Sequence, residues 1–156
     1  MLLLIAAALL VSACSPPHSE NDAANAPREA DLSGVAVEVH KAVGCECCDR
    51  WAAYLRAHDA EAVVQADPQL GDLRSHLGVP ARAASCHTAT IGGYAVEGHV
   101  PAPAIVRLLV ERPDAVGIAV PGMPLDAPGM GDDAAAWASI PVLLIELDGE
   151  LRPFDY

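Results

Sequence analysis

Cys45, Cys47 and Cys48 set three sulfurs within four residues, directly after Gly44, and a fourth cysteine, Cys86, stands far downstream. Apolar Cys48, Trp51, Ala52 and Leu55 recur at helical spacing, so the cluster falls at the N-terminus of a helix. Free backbone N–H groups and the positive end of the helix dipole stabilise thiolates there, which makes these thiols more acidic than free cysteine. Cys45 and Cys48, three apart, share one helical face, and theirs is also the spacing of a redox dithiol. Cys47 points about a quarter turn away. Beyond Met1 the methionines are Met123 and Met130, each in a Pro-Gly-Met element (Pro121-Gly122-Met123 and Pro128-Gly129-Met130). Pro and Gly exclude regular helix or interior strand, so both thioethers are expected on loops. Thiolate plus thioether with few hard oxygen donors is a ligand set that favours Cu(I); zinc, through Cys45, Cys48, Cys86 and a histidine, is the alternative metal.

The chain has 156 residues and a formal net charge of -12, with nine Lys and Arg against 21 Asp and Glu. Lys41 is the lone lysine, so no basic stripe exists to follow a phosphate backbone, and nucleic acid is not an expected partner. Residues 1–13 are uncharged and carry an apolar run too short to span a bilayer, followed by Ser12-Ala13-Cys14-Ser15. That pattern reads as a lipoprotein signal peptide that leaves Cys14 as the lipidated N-terminus, so the protein is expected to be exported and held to a membrane by lipid. Ser15 after the cysteine points to the outer membrane. Residues 14–32, rich in Ser, Pro, Asn, Asp, Glu and Ala, read as a disordered tether, and residues 33–156 as one folded domain.

In an exported protein four cysteines can simply form two disulfides, Cys45–Cys48 with Cys47–Cys86 or the crossed alternative. Among the histidines, His18, His58 and His76 are expected at solvated positions and His40 in a structural role. Cys86 and His87, adjacent on a strand, are expected on opposite faces, so Cys86 is taken as a ligand and His87 is left open. His99, in the turn Glu97-Gly98-His99-Val100-Pro101, is a candidate ligand or a support for one.

Several elements must position these groups. Val35, Val37 and Val39 alternate with smaller or polar residues as a first strand, and the cysteine-bearing helix follows, ending near His58. Glu61–Ala66 reads as a second strand. Asp67-Pro68 supplies an N-cap and first-turn proline to a short helix closed by Gly78. Strands over 85–91 and 94–97 flank Gly92-Gly93, a third helix runs from Ala102 to Arg112, and strands over 141–147 and 151–154 flank Asp148-Gly149. The order β-α-β-α-β-β-α-(β-β) implies an α/β domain, a small mixed sheet with flanking helices.

Between Val37 and Met130 the chain resembles the CopG-like periplasmic proteins of bacterial copper-resistance clusters. The resemblance rests on Lys41-x-x-Gly44-Cys45-x-Cys47-Cys48-x-x-Trp51, Ser85-Cys86-His87-Thr88, Gly93-Tyr94 leading to Glu97-Gly98-His99-Val100-Pro101, and the two Pro-Gly-Met elements. It departs from the family pattern at Glu46 and at Asp126-Ala127. It implies a thioredoxin-like fold and copper held by Cys45, Cys47, Cys48 and Cys86, in a thiolate-bridged multinuclear site with a role in copper redox or detoxification. Met123, Met130 and His99 complete the expected ligand set, and other periplasmic copper-resistance proteins are the expected partners. A thiol-disulfide oxidoreductase, with Cys45 attacking and Cys48 resolving, is the alternative function.

Overall fold

The computed structural model describes residues 30–131 and 133–156; the expected signal peptide, the lipidation site Cys14 and most of the tether lie outside them. The chain runs β1 (Ala36–Lys41), α1 (Glu46–Arg56), β2 (Glu61–Ala66), α2 (Leu70–Leu77), β3 (His87–Ile91), β4 (Tyr94–Glu97), α3 (Ala102–Glu111), β5 (Gly117–Ala119), α4 (Ala134–Trp137), β6 (Leu143–Ile145) and β7 (Leu151–Pro153). The described strands form one mixed sheet in the order β2-β1-β3-β4-β5-β6-β7. β1 is parallel to β2 and antiparallel to β3, and β3 and β4 form the hairpin expected around Gly92-Gly93. The protein is thus an α/β domain that contains the expected elements in order, with two short ones added before the last hairpin, and it carries the cysteines at its first strand-helix junction.

Val37 and Val39 point to one face of the sheet, where they meet Trp51 and Leu55 of α1 and Ile105 and Leu108 of α3 in the main core. A smaller cluster of Val79, Ala83, Ala95, Ala119 and Ile145 covers the other face. Trp51, the largest fully buried side chain, is pinned by a 2.9 Å hydrogen bond from its Nε1 to the Val100 carbonyl. Leu32, ahead of β1, is buried and donates its N–H to the His58 carbonyl.

Three sequence expectations need correction. Asp67 does not cap α2: its carboxylate takes the Gln69 N–H in the turn before the helix, and Gln69 occupies the cap position. β5 and α4 were not expected, because a three-residue strand and a four-residue helix are too short to show a period. β5 pairs parallel to β4 and antiparallel to β6, so it joins the C-terminal hairpin to the rest of the sheet. His58 is not simply solvated, since its Nδ1 sits 2.9 Å from the Ala30 carbonyl and its ring packs edge-on against Tyr54.

Candidate metal centre

β1 leads into the turn Ala42–Cys45, closed by the Cys45 N–H donating to the Ala42 carbonyl at 3.1 Å. The Lys41 ammonium donates to the Cys45 carbonyl at 3.0 Å and pairs with Asp49 in the first turn of α1, so the lone lysine braces the junction. Cys45 stands at the cap position, and Cys47 and Cys48 lie in the first turn, as their spacing predicts. Cys48 is fully buried, while Cys45 and Cys47 are half-buried. Cys45 and Cys48 form a disulfide with Cα atoms 5.8 Å apart, leaving Cys47 and Cys86 as free thiols. The Cys47 Sγ lies 3.3 Å from the Cys45 Sγ.

The register of β1 against β3 explains how the fourth sulfur arrives. Lys41 faces His87, so Cys86 falls just past the paired region, beside the Ala42 turn, where its carbonyl accepts the Ala42 N–H at 3.4 Å. The donor atoms of Cys45, Cys47, Cys48 and Cys86 consequently all lie within 4.8 Å of one another. A second set, Cys48, Cys86, His87 and His99, meets the same limit, so Cys48 and Cys86 belong to both. This overturns the expectation that His87 faces away. Alternation applies inside a strand, whereas β3 begins at His87 and Cys86 sits in the bend before it. The Cys86 Sγ is therefore 3.4 Å from the His87 Nδ1.

His99 is fully buried and held from behind. Its Nδ1 is 2.7 Å from the Pro128 carbonyl, which can only accept, so the proton sits on Nδ1. Nε2 is then bare and faces the Cys86 Sγ at 3.2 Å. The second Pro-Gly-Met element thus serves through its backbone. Gly129 has φ +80°, and a Cβ there would lie 2.7 Å from the Trp51 N, which only glycine avoids; its carbonyl accepts from the Arg50 Nε at 2.8 Å. The His87 ring packs on Trp51, centroids 4.3 Å apart, and on His99 at 5.2 Å.

A buried ion pair holds the Cys86 segment from the opposite side. The Arg74 Nε donates to Glu97 Oε1 at 3.2 Å, and its Nη2 donates to the Ser85 carbonyl at 2.7 Å. Glu97 is fully buried and also accepts from the Ser85 N–H at 3.0 Å and the Thr88 hydroxyl. Both backbone groups of Ser85, the residue before Cys86, are therefore tied to one ion pair. Burial pushes the Glu97 carboxyl up, and the Thr88 and Arg74 hydrogen bonds oppose that shift.

Burial holds His87 well below the usual imidazole range, with repulsion from His99 and Arg74 adding to it, and holds His99 low as well. Both are thus neutral near pH 7, the form that ligates metal. The Cys86 thiol is pushed up to about 11, first by burial and then by the neighbouring Cys47. A metal taking Cys86 must therefore displace its proton.

A cleft of about 500 Å³ opens onto Cys45 and Cys86 between Val43–Cys45, Ser85–Cys86 and Gly122–Met123. Met123 is exposed at its mouth, whereas Met130 is half-buried and packs against the main core. His40 pairs with Asp67 at 3.2 Å, the expected structural role.

Residues 83–130 match a family described as "Protein of unknown function, DUF411". No curated protein matches the chain. Two solved structures, Copper resistance protein copG Form 1 and Form 2, are similar to it at 35% and 38% identity with TM-scores of 0.67 and 0.69. Each match covers 78% of this chain and 98% of the other. The chain belongs to the CopG family of copper resistance proteins.

The donor atoms suit a CopG-family role. Both sets consist of cysteines and histidines with no carboxylate, and soft thiolate with neutral imidazole is a copper donor set. Arg74, Glu97 and the Pro128 carbonyl were not foreseen as supports. One signal was available for Glu97: an acid closing a strand whose other residues, Tyr94, Ala95 and Val96, are all buried requires a buried partner.

Proposed function

We propose that this protein is an exported copper-binding protein that holds Cu(I) in copper resistance, with thiolates bridging more than one ion. The carrying observation is the convergence of Cys45, Cys47, Cys48 and Cys86 within 4.8 Å, two of them shared with an adjoining histidine pair. Four sulfurs so close, two of them lining a cleft edged by Met123, favour a soft monovalent metal over a hard one. His99, and Met123 at the cleft mouth, complete coordination around the sulfurs, while Met130 packs into the core. The N-terminal sequence supports export to the periplasm and lipid anchoring through Cys14, most simply at the outer membrane. Copper uptake by the reduced full chain carrying Cys14→Ser, titrated anaerobically against a competing chelator, tests the proposal. More than one Cu(I) per chain is expected, and uptake unchanged by Cys47→Ser together with Cys86→Ser defeats the multinuclear version.

A second function is favoured by one observation, the Cys45–Cys48 disulfide with its half-buried first sulfur and buried second. A thiol-disulfide oxidoreductase would attack with Cys45 and resolve with Cys48. Insulin reduction separates the two, since a copper store gives no turnover.

A further inference from the structure

Closing the Cys45–Cys48 bridge removes two of the four sulfurs from metal binding and leaves Cys47 and Cys86 free. The two free thiols have different surroundings. Cys47 has the Cys45 sulfur 3.3 Å away and belongs to the all-cysteine set alone. Cys86 also has two imidazole nitrogens at 3.2 and 3.4 Å, His99 Nε2 and His87 Nδ1. Bonds of about 2.3 Å to thiolate and about 2.0 Å to imidazole set donor atoms roughly 3.5–3.7 Å apart, close to what is found here. Both rings are fully buried, and His99 presents a bare Nε2 because the Pro128 carbonyl holds its Nδ1 proton. His87 turns its Nδ1 toward the same sulfur, and its ring is fixed there by packing on Trp51 and on His99.

We propose that Cys86, His87 and His99 form an inner copper position that holds one Cu(I) even while Cys45 and Cys48 are bridged, and that opening the bridge adds the outer, all-sulfur position. The proposal rests on the copper function above and deepens it: the state of the bridge sets how much copper the chain carries. One thiolate with two imidazoles is a set able to hold copper in both oxidation states, with the Cys48 sulfur as a fourth, weak neighbour. Opening the bridge breaks the Cys45–Cys48 S–S bond with two electrons and two protons from a dithiol reductant, which becomes a disulfide in turn. The product is two thiols that then exchange their protons for copper.

The test uses the full chain carrying Cys14→Ser and Cys47→Ser, in which Cys86 has no rival free thiol. With the bridge closed and checked by alkylation and mass, the chain is titrated anaerobically with Cu(I) against a competing chelator. One Cu(I) per chain is expected, with X-ray absorption showing nitrogen as well as sulfur neighbours. His87→Ala with His99→Ala is expected to weaken binding at least 100-fold. No uptake by the bridged chain, or uptake with sulfur neighbours alone, overturns the proposal. The absorption spectrum needs no buried histidine replaced, so a variant that fails to fold leaves the test intact. The reduced chain with Cys47 restored separates the two ideas. If it takes up several Cu(I) while the bridged chain takes none, the inner position fails and the copper function stands; if it too takes none, both fail.

Discussion

The helix side and the strand side of the metal centre reach the same few ångströms by different routes. On the helix side, Cys45, Cys47 and Cys48 come from one short stretch, and the turn, the Lys41 brace and the start of α1 suffice to place them. On the strand side, Cys86, His87 and His99 are gathered from two segments. They depend on the β1–β3 register, on a third segment at Pro128 and on an ion pair from a different helix. One sulfur from each side, Cys45 and Cys86, lines the cleft, whereas both histidines of the strand side are fully buried. Local spacing is thus enough to present sulfur to solvent, and long-range packing is needed to present a neutral imidazole to that sulfur.

The largest expected effect sharpens this contrast. Arg74→Met leaves Glu97 buried without its cation and frees the Ser85 carbonyl, so it is expected to destabilise the fold by about 3–5 kcal/mol in a denaturant titration. Neutralising Lys41, whose partner Asp49 is 52% exposed, is expected to cost no more than about 1 kcal/mol. Equal costs at the two sites would break the comparison. Next comes Cys86→Ser, which removes a donor common to both sets. Chelator competition is expected to show copper affinity at least 100-fold weaker, about 2.8 kcal/mol, and Cys47→Ser a smaller loss.

The pH dependence follows in size. Cys86 keeps its proton up to about 11 in the metal-free chain, and copper takes the thiolate, so binding expels that proton. Affinity is therefore expected to rise about tenfold per pH unit above neutrality through Cys86 alone, levelling once the free thiol ionises; competition titrations one pH unit apart measure it. The smallest effect belongs to Met123→Ala at the exposed cleft mouth. Stability is expected to stay within about 0.5 kcal/mol and copper affinity within about tenfold, read by thermal melts and the same competition.

How much was legible in the sequence follows the same division. The helical period through Cys48, Trp51 and Leu55 locates the sulfur cluster, and Gly92-Gly93 locates the hairpin, because both are local patterns. His87 was misplaced because alternation says nothing about a residue in a bend outside the strand. Arg74 looked like an ordinary polar residue of a short helix, since its partner Glu97 is brought to it only by the packing of α2 beside β3 and β4. The methionines were legible as loop residues, yet their paired motif did not reveal that one element acts through the Pro128 carbonyl and the bare Gly129 backbone.

The central claim is that sulfurs from these two separated stretches share copper, and copper-dependent protection from alkylation measures it most directly. The reduced full chain carrying Cys14→Ser is loaded with Cu(I) and treated with an alkylating reagent, and each cysteine is quantified by mass spectrometry. Shared copper predicts that Cys86 becomes protected as metal is added, no later than Cys47. Protection of the helix cysteines while Cys86 reacts as it does without copper would contradict the account.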